Sequence, residues 1–281
     1  MDNSVYKNSG REKRAKNFRG ICRKRKINES YKPVWIKKVD KKVVVLINDL
    51  CYNFGMEKIF EEFDIEVTEE QAEKLEKYYR MIVECNEKFN ITAITDRRDV
   101  YVKHFVDSLL FKDELKSGKL LDVGSGGGLP AIPLAIANEY LRVTMLEATG
   151  KKCEFLKEVI DKLELKNVKV INGRAEELGH SPEFREEYDF CTARAVARLN
   201  ILCEYCMPLV RKDGIFAAFK GNAEEEIVEA EKAIRVLGGK IMDVKEAELE
   251  GAKREFIMIK KIEHTPDKYP RANGRIRNNP I

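Results

Sequence analysis

The 281-residue sequence contains no long hydrophobic run. No apolar stretch approaches the roughly 18 residues that a membrane-spanning helix needs. The N-terminus is basic, but it lacks the apolar core and cleavage site of a secretory signal. We therefore expect a chain without a membrane span that works in the cytoplasm.

A disulfide framework is also lacking. The seven cysteines are scattered and odd in number, which argues for reduced thiols. Cys203 and Cys206 form a single C-x-x-C pair in a predicted helix, whereas a zinc site needs about four ligands. We interpret the pair as two small apolar residues on one helix face and expect no metal site.

Two common nucleotide-binding motifs are missing. No G-x-x-x-x-G-K-[ST] phosphate loop occurs, which argues against ATP or GTP as ligand. The strict dinucleotide fingerprint G-x-G-x-x-G fits Gly124 and Gly126, but Leu129 stands where the last glycine belongs. An NAD-dependent oxidoreductase is therefore a possible but disfavoured class.

The charge is unevenly distributed along the chain. Residues 1–42 carry 15 basic and 4 acidic side chains, so the remaining residues are net acidic although the whole chain is +4. Any affinity of the body for nucleic acid must then come from a local basic patch. We predict that residues 1–55 are a disordered basic extension. It would either contact RNA or be an extension without function that precedes a true start at Met56.

A glycine-rich stretch is the strongest local signal. An apolar run ending at Val123 predicts a buried strand, four of the next five residues are glycine, and Pro130 opens a helical pattern. Glycine lets the backbone turn sharply and approach a ligand closely. Strand, glycine turn and helix start together indicate a cradle for a nucleoside-containing cofactor, with Gly124, Gly126 and Gly128 as contacts.

Alternating strand and helix patterns surround this turn. Thr68 and Gln71 resemble a capping box that opens an amphipathic helix, and a second helix is predicted from about Asp99 to Leu115. Repeated β–α units follow, which imply a doubly wound parallel sheet, and a closing strand pair implies one antiparallel edge strand. The predicted strands are 119–123, 141–146, 167–172, 188–193, 214–219, about 240–247 and 254–262; the predicted helices are 130–138, 150–164, 197–210 and 222–237.

This pattern predicts four parts. They are the extension 1–55, a helical cap 56–117, an α/β domain 118–262 and an extended basic C-terminal tail 263–281. Glu147 ends the second predicted strand, where a carboxylate accepts both hydroxyls of a ribose. The third strand leads into Ala175 and Glu176, at the crevice edge where an adenine would lie.

Several spaced stretches resemble the bacterial 16S rRNA (guanine-N7)-methyltransferase family, RsmG (GidB). The resemblance runs from about Met56 to Ile281. The matching stretches are KFNIT (88–92), KHFVDS (103–108), LDVGSGGGLP (121–130), GRAEE (173–177), ARAVA (193–197), FKG (219–221) and KYPR (268–271) with the following tail.

The resemblance implies a Rossmann-like S-adenosylmethionine-dependent methyltransferase fold, which is a mostly parallel seven-stranded sheet with one antiparallel strand and an N-terminal helical cap. It implies S-adenosylmethionine as cofactor and a guanine N7 of 16S rRNA as target, within the 30S subunit or its precursor. We expect a monomer. The family's cofactor contacts fall on Gly124, Leu129, Ala175, Glu176 and Arg194.

Guanine N7 carries a lone pair and no proton, so its methylation needs no general base. We expect Asn90 and His104 to orient the guanine or line its entrance, and Arg194, on the target side after strand four, to contact the cofactor and the RNA backbone. Phosphate contacts are predicted at Arg174, Lys220, Lys268 and Arg271. For the tail residues, packing on their own domain is an equally open interpretation. A non-catalytic rRNA-binding assembly factor on the same fold is the remaining alternative.

Overall fold

In the computed structural model, residues 58–281 can be described, and the predicted extension 1–55 lies outside them. A single seven-stranded sheet dominates this part of the chain, in the order β3-β2-β1-β4-β5-β7-β6. Its strands are β1 (Gly118–Val123), β2 (Leu141–Glu147), β3 (Val168–Asn172), β4 (Tyr188–Arg194), β5 (Val210–Lys220), β6 (Gly239–Leu249) and β7 (Ala252–Lys261).

Strands β1 to β5 are parallel, whereas β7 pairs antiparallel with both β5 and β6. The predicted mostly parallel sheet with one antiparallel strand is thereby confirmed. The predicted position of the antiparallel strand at the edge of the sheet was wrong, because the antiparallel strand β7 lies inside the sheet and β6 forms the edge. The cause is the order of pairing: the short hairpin folds β7 back between β6 and β5.

The helices are α1 (Glu69–Asn86), α2 (Arg97–Val100), α3 (Asp107–Leu109), α4 (Ala131–Ala137), α5 (Gly150–Leu163), α6 (Ala175–Leu178), α7 (Leu199–Cys206), α8 (Glu224–Val236) and α9 (Asn273–Asn278). A π-helical segment (Tyr101–Val106) joins α2 to α3, and a 3-10 turn (Lys112–Glu114) follows. The single helix expected over Asp99 to Leu115 is therefore interrupted. Within residues 58–281, no helix combines the length and apolar character of a membrane span.

Helix α1 begins as the sequence predicts. The backbone N–H of Gln71 donates to Thr68 Oγ1 at 3.2 Å, and the Gln71 side chain accepts from the Thr68 N–H at 2.9 Å. This reciprocal capping box satisfies amide groups that the first helical turn leaves open. Tyr78 and Ile82 then face the core and are fully buried.

Two apolar clusters cover the two faces of the sheet. One joins the cap segments to α4 and α5, with Leu75, Phe105 and Leu156 among its members. The other packs α6 to α9 on the opposite face and includes both cysteines of the C-x-x-C pair. Burial raises the pKa values of the Cys203 and Cys206 thiols, in keeping with their interpretation as apolar core residues.

The C-terminal tail is folded rather than extended. It contains α9, whose Ile276 is fully buried. The Arg185 side chain donates to the carbonyl oxygens of Gly179, Thr265 and Tyr269, so that it ties the tail to the loop after α6. The sequence prediction of an extended tail was wrong because these long-range contacts leave no periodic pattern.

Candidate active site

The glycine loop (residues 124–128) follows β1 and folds back on the end of β2. The backbone N–H groups of Gly124 and Ser125 donate to Leu146 O at 2.8 and 3.1 Å. Gly124, Gly126 and Gly128 have φ values of +72°, +58° and +98°. Only glycine adopts such values readily, which explains why three of them alternate here.

Gly126 faces open space, unlike the glycines that follow it. A Cβ atom on Gly126 would meet no heavy atom nearer than Gly124 O, at 3.8 Å. A Cβ on Gly127 would collide with Ile91 of the cap, and one on Gly128 would lie 2.6 Å from Ile132. The loop is therefore packed behind and free in front, as a ligand cradle requires.

The helical cap holds this loop from behind. The hydroxyl of Tyr78, on α1, donates to Gly127 O at 2.5 Å, and its ring stacks on Phe105 at a centroid distance of 5.4 Å. Burial raises the pKa of Tyr78, so the hydroxyl stays protonated as a donor. The cap thus fixes the loop as well as covering the sheet.

Glu147 ends β2 beside the glycine loop and is buried. One carboxylate oxygen accepts the Gly126 N–H at 2.9 Å, and the other accepts the Thr149 N–H at 2.8 Å. Each oxygen has a second lone pair, so the pre-oriented carboxylate can also accept two neighbouring hydroxyl groups. This geometry suits the ribose role predicted for Glu147.

Asp122 lies two residues before the loop and is almost completely buried. Its Oδ1 accepts the Thr192 hydroxyl at 2.8 Å, while Oδ2 has no hydrogen-bond partner in the part of the chain that the structure describes. Burial raises the pKa of Asp122 to about 6, opposed by Thr192 and the positive charge of Arg194. A buried acceptor without a donor fits a site that a polar ligand completes.

The far edge of the crevice is formed where β3 ends. Asn172 pairs with Glu147 in the sheet, and α6 follows at once with Ala175 and Glu176. Ala175 is buried and Glu176 is half-buried, while Arg174 at the start of α6 is exposed. Leu129 is half-buried at the end of the glycine loop. The predicted cofactor residues thus come from one edge of the sheet.

A second cleft opens beside the first, where β4 and β5 end and β7 begins. It has a volume of about 210 Å³. We call it the arginine cleft; its lining residues are Asp107, Phe111, Arg194, Ala195, Phe219, Lys220, Gly221, Arg254 and Glu255.

Arg194 and Arg254 hold one buried carboxylate between them. Arg194 Nη1 donates to Asp107 Oδ2 at 2.7 Å, and Arg254 Nε donates to Asp107 Oδ1 at 2.5 Å. Asp107 is 8% exposed. A carboxylate between two guanidinium groups keeps a net positive charge in the cleft, and it links the cap to β4 and β7.

His104 and Asn90 occupy different surroundings. His104 is buried, its Nδ1 lies 3.1 Å from Lys103 O and its Nε2 lies 2.8 Å from Thr92 Oγ1. Burial, with help from Arg194, lowers the pKa of His104 to about 4, so the ring is neutral at pH 7. Asn90 is exposed in the loop after α1. His104 is therefore buried and hydrogen-bonded at both ring nitrogens, whereas Asn90 is exposed. That either residue orients the guanine stays a prediction.

Of the four predicted phosphate contacts, two are already hydrogen-bonded within the protein and two are exposed. Lys220 Nζ is held by Ala197 O at 2.7 Å and Glu226 at 2.6 Å. Arg271 forms a two-pronged pair with the buried Glu204. Packing on its own domain, the alternative left open for the tail, thus describes Arg271. Arg174 and Lys268 are exposed and stay predictions as phosphate contacts.

Sequence reasoning assigned no role to several residues that shape the site. Asp107 and Asp122 lie within the stretches that resemble the family, so the resemblance was a signal that could have drawn attention to them. Arg254 and Phe111 lie in no such stretch. They reach the cleft only through the pairing of β7 with β5 and the packing of the cap.

Sheet order and site define the class of protein. A sheet ordered 3-2-1-4-5-7-6 with β7 antiparallel, a glycine loop after β1 and an acid at the end of β2 are the arrangement of Rossmann-like S-adenosylmethionine-dependent methyltransferases. The residues present fit this cofactor. Gly126 leaves space for it, and Glu147 can accept hydrogen bonds from its ribose hydroxyls. Asp122 Oδ2, which has no hydrogen-bond partner in the described residues, can accept from a polar group of the ligand.

The chain belongs to the GidB family, described as rRNA small subunit methyltransferase G, whose model matches residues 71–257. A protein named ribosomal RNA small subunit methyltransferase G from Lactobacillus helveticus is 45% identical over 223 residues, covering 76% of this chain and 93% of the relative. The protein of that name from Bacillus licheniformis is 46% identical, covering 75% of this chain and 91% of the relative.

Among solved structures, M. jannaschii TYW2 in complex with AdoMet is similar at a TM-score of 0.45 and 16% identity, covering 56% of this chain and 77% of that one.

Proposed function

We propose that this chain transfers the methyl group of S-adenosylmethionine to N7 of one guanine in 16S ribosomal RNA. Membership of the GidB family supports the rRNA substrate. The observation that carries the proposal is the cradle at the carboxyl edge of the sheet, where Gly126 faces open space and donates its N–H to the fixed carboxylate of Glu147.

When bound, the cofactor supplies a methyl group made electrophilic by a sulfonium centre. The chain's own residues bind and place the reactants. The glycine loop allows close approach, Glu147 accepts hydroxyl groups, and the Tyr78 hydroxyl keeps the loop in position from behind. Holding two reactive groups together contributes up to roughly 7–11 kcal/mol to rate acceleration.

No general base is needed, because guanine N7 carries a lone pair and no proton. The surroundings of His104 agree with this chemistry. Its lowered pKa and its two bonded nitrogens suit a neutral ring that fixes the loop carrying Thr92, rather than a ring that takes up a proton. We propose that His104 positions the target side of the crevice through this loop, which also includes Asn90.

RNA phosphates would be held by exposed cations around the crevice. Arg174 opens α6 at the cofactor edge, and Lys268 lies in the folded tail. Arg275 and Arg277 on α9 are also exposed. Contacts of this kind weaken steeply as salt rises, so we expect binding to the RNA to be strongly salt-dependent.

The substrate we propose is the 30S subunit or its precursor, and the enzyme acts as a monomer. A ribosomal substrate would place the reaction in the cytoplasm.

Incubation with labelled S-adenosylmethionine and undermethylated 30S subunits tests the proposal. We expect label in 16S rRNA at a single guanine. Bound cofactor with no label in the rRNA would contradict the proposal and favour a non-catalytic assembly factor.

A further inference from the structure

We propose that the arginine cleft is the pocket for the target base and that Arg254 selects guanine by donating to its O6 atom. This inference rests on the proposed function and deepens it, because it names how the site recognises its substrate.

The cleft offers N–H donors that make no hydrogen bond in the described part of the chain, and its carboxylates are paired with cations. Arg254 uses Nε for Asp107 and Nη1 for Lys253 O, which leaves Nη2 without a hydrogen bond in the described part of the chain. Arg194 directs its bonds through Nη1 alone. Both oxygens of Asp107 already accept from these two arginines. Because two guanidinium groups face one carboxylate, a ligand that presents acceptors matches this cleft better than one that presents donors.

The other acid in the cleft is engaged as well. Glu255 is 2% exposed; one of its oxygens accepts the Ala223 N–H at 2.6 Å, and the other pairs with Lys253 at 2.7 Å. A group that donates hydrogen bonds, such as an exocyclic amine, would thus face guanidinium N–H groups, whereas the carboxylates of the cleft are already paired with cations. Donor facing donor is unfavourable in a partly buried site.

Aromatic side chains form part of the cleft wall. Phe111 and Phe219 both line it, and both contact Phe256, by stacking and edge-on packing at a centroid distance of 4.9 Å in each case. Proteins that act on single bases commonly hold the extruded base against aromatic or apolar side chains and read its edge by hydrogen bonds. Apolar wall and cationic rim together suit a planar, acceptor-rich heterocycle.

The cleft adjoins the cofactor cradle. Val196, two residues beyond Arg194, packs on the glycine loop so closely that a Cβ on Gly124 would lie 2.7 Å from its Cγ2. Arg194 also acts electrostatically on Asp122, at the base of the loop. A base in the arginine cleft would therefore be next to a cofactor in the cradle, as transfer between them requires.

Selection follows from the edge of the purine that carries N7. Guanine presents O6, an acceptor, beside N7, whereas adenine presents an amino donor there. N7 must keep its lone pair for the methyl group, so recognition has to use the neighbouring position. A guanidinium N–H of Arg254 that donates to O6 therefore favours guanine, and it disfavours adenine, whose amino group is itself a donor.

The test is a cycle of protein variants and base analogues. Small subunits are reconstituted with guanine, 2-aminopurine or adenine at the methylated position; 2-aminopurine is guanine without O6. For wild type we expect kcat/KM to be about 10–100-fold higher on guanine than on 2-aminopurine, in line with roughly 1–3 kcal/mol for a base contact. Arg254→Met should reduce this preference to less than about 3-fold, because activity on guanine falls much further than activity on 2-aminopurine.

Arg254→Lys keeps a charge beside Asp107 and should restore part of the preference. The matched control is Arg211→Met. Arg211 lies at the amino end of β5, where it pairs with Asp189, whereas the cleft lies at the carboxyl end of that strand. This variant should behave as wild type. S-adenosylhomocysteine affinity and thermal midpoint are measured for every variant, so that a loss of fold is separated from a loss of selectivity.

An unchanged preference for guanine in Arg254→Met would overturn the inference. So would an equal loss on guanine and 2-aminopurine, which would mean that Arg254 grips a phosphate or only supports Asp107. A wild-type enzyme that methylates no subunit at all would instead overturn the proposed function.

Discussion

The crevice has two proposed halves, one for the cofactor and one for the target base, and they are built in different ways. The cofactor half uses backbone groups and one carboxylate from β1, β2 and the loops that directly follow them. The target half joins Asp107, Arg194 and Arg254, which come from the cap, the end of β4 and the start of β7. The first half is a local product of a short sequence, and the second exists only after the whole chain has folded. Variants should therefore separate cofactor binding from methyl transfer.

The largest effect is expected in the cofactor half. Gly126→Val places a branched side chain in the open space at a residue with φ of +58°, a region that β-branched residues avoid. We expect S-adenosylhomocysteine affinity to fall by about 4 kcal/mol, or roughly 1,000-fold, in isothermal titration.

The matched control for this change is Gly274→Val. A Cβ added at Gly274 would meet no atom within 4 Å, and its φ is not positive. This variant should therefore bind S-adenosylhomocysteine as wild type does. Normal binding by Gly126→Val would show that the cofactor approaches the loop elsewhere.

The target half should respond mainly through stability and transfer. Asp107→Ala leaves two guanidinium groups without their shared carboxylate, and breaking a buried pair costs about 3 kcal/mol or more. We expect the free energy of unfolding in urea to fall by that amount and methyl transfer to fall with it. Cofactor affinity of the folded enzyme should change less than about 3-fold, a difference worth under about 1 kcal/mol.

Asp99→Ala serves as the comparison, because it removes an exposed ion pair with Lys103 on the same helical run. Exposed pairs contribute about 0–1 kcal/mol. If both variants lose the same small amount, the Asp107 cluster does not hold the target half together.

Glu147→Gln should weaken the cofactor half moderately. Hydrogen bonds to a charged acceptor are worth about 1.5–3 kcal/mol, so titration with S-adenosylhomocysteine should show roughly 10–100-fold weaker binding. Glu139→Gln, at an exposed turn, should have no effect. Unaltered affinity in Glu147→Gln would remove the ribose role from this residue.

His104→Ala should spare cofactor binding and reduce methyl transfer by about 10-fold. The reason is that the ring holds Thr92 at 2.8 Å and so fixes the loop at the target side. Labelled transfer to 30S subunits and titration with S-adenosylhomocysteine measure the two effects separately. Full activity of this variant would show that the loop does not serve the target site.

A further effect, small within any one pH unit, is a pH dependence of stability. The folded pKa of His104 is lowered to about 4 from a usual value near 6.5. Between these values the unfolded chain binds more protons, so this residue costs stability as pH falls from about 6.5 towards 4.

The stability advantage of wild type over His104→Ala should thus shrink by at most about 1.4 kcal/mol per pH unit across this window. Urea unfolding at several pH values measures it. The variant comparison also removes the opposite contribution of Asp122, whose raised pKa favours folding in acid. A constant difference between the two proteins would mean that the ring is hydrated in the folded state.

Sequence reasoning was sufficient for the local half and insufficient for the other. The glycine loop, Glu147 and the capping box of α1 follow from residues close together in the chain, whose spacing carries the signal. Arg254 meets Asp107 across 147 positions, and no spacing rule reports such a pair.

The tail shows the same limit. Its basic composition suggested an extended RNA-binding segment, but the pair between Arg271 and buried Glu204 and the burial of Ile276 depend on tertiary contacts. Strand positions were predictable because apolar runs mark them, whereas the place of β7 inside the sheet depends on pairing order.

The most direct measurement is chemical mapping of N7-methylguanine in 16S rRNA from cells that lack this chain. Borohydride reduction and aniline treatment cut RNA at such residues. We predict that one cut disappears in the deletion strain and returns when the wild-type chain, but not Gly126→Val, is supplied. A cut that persists without the chain would contradict the account.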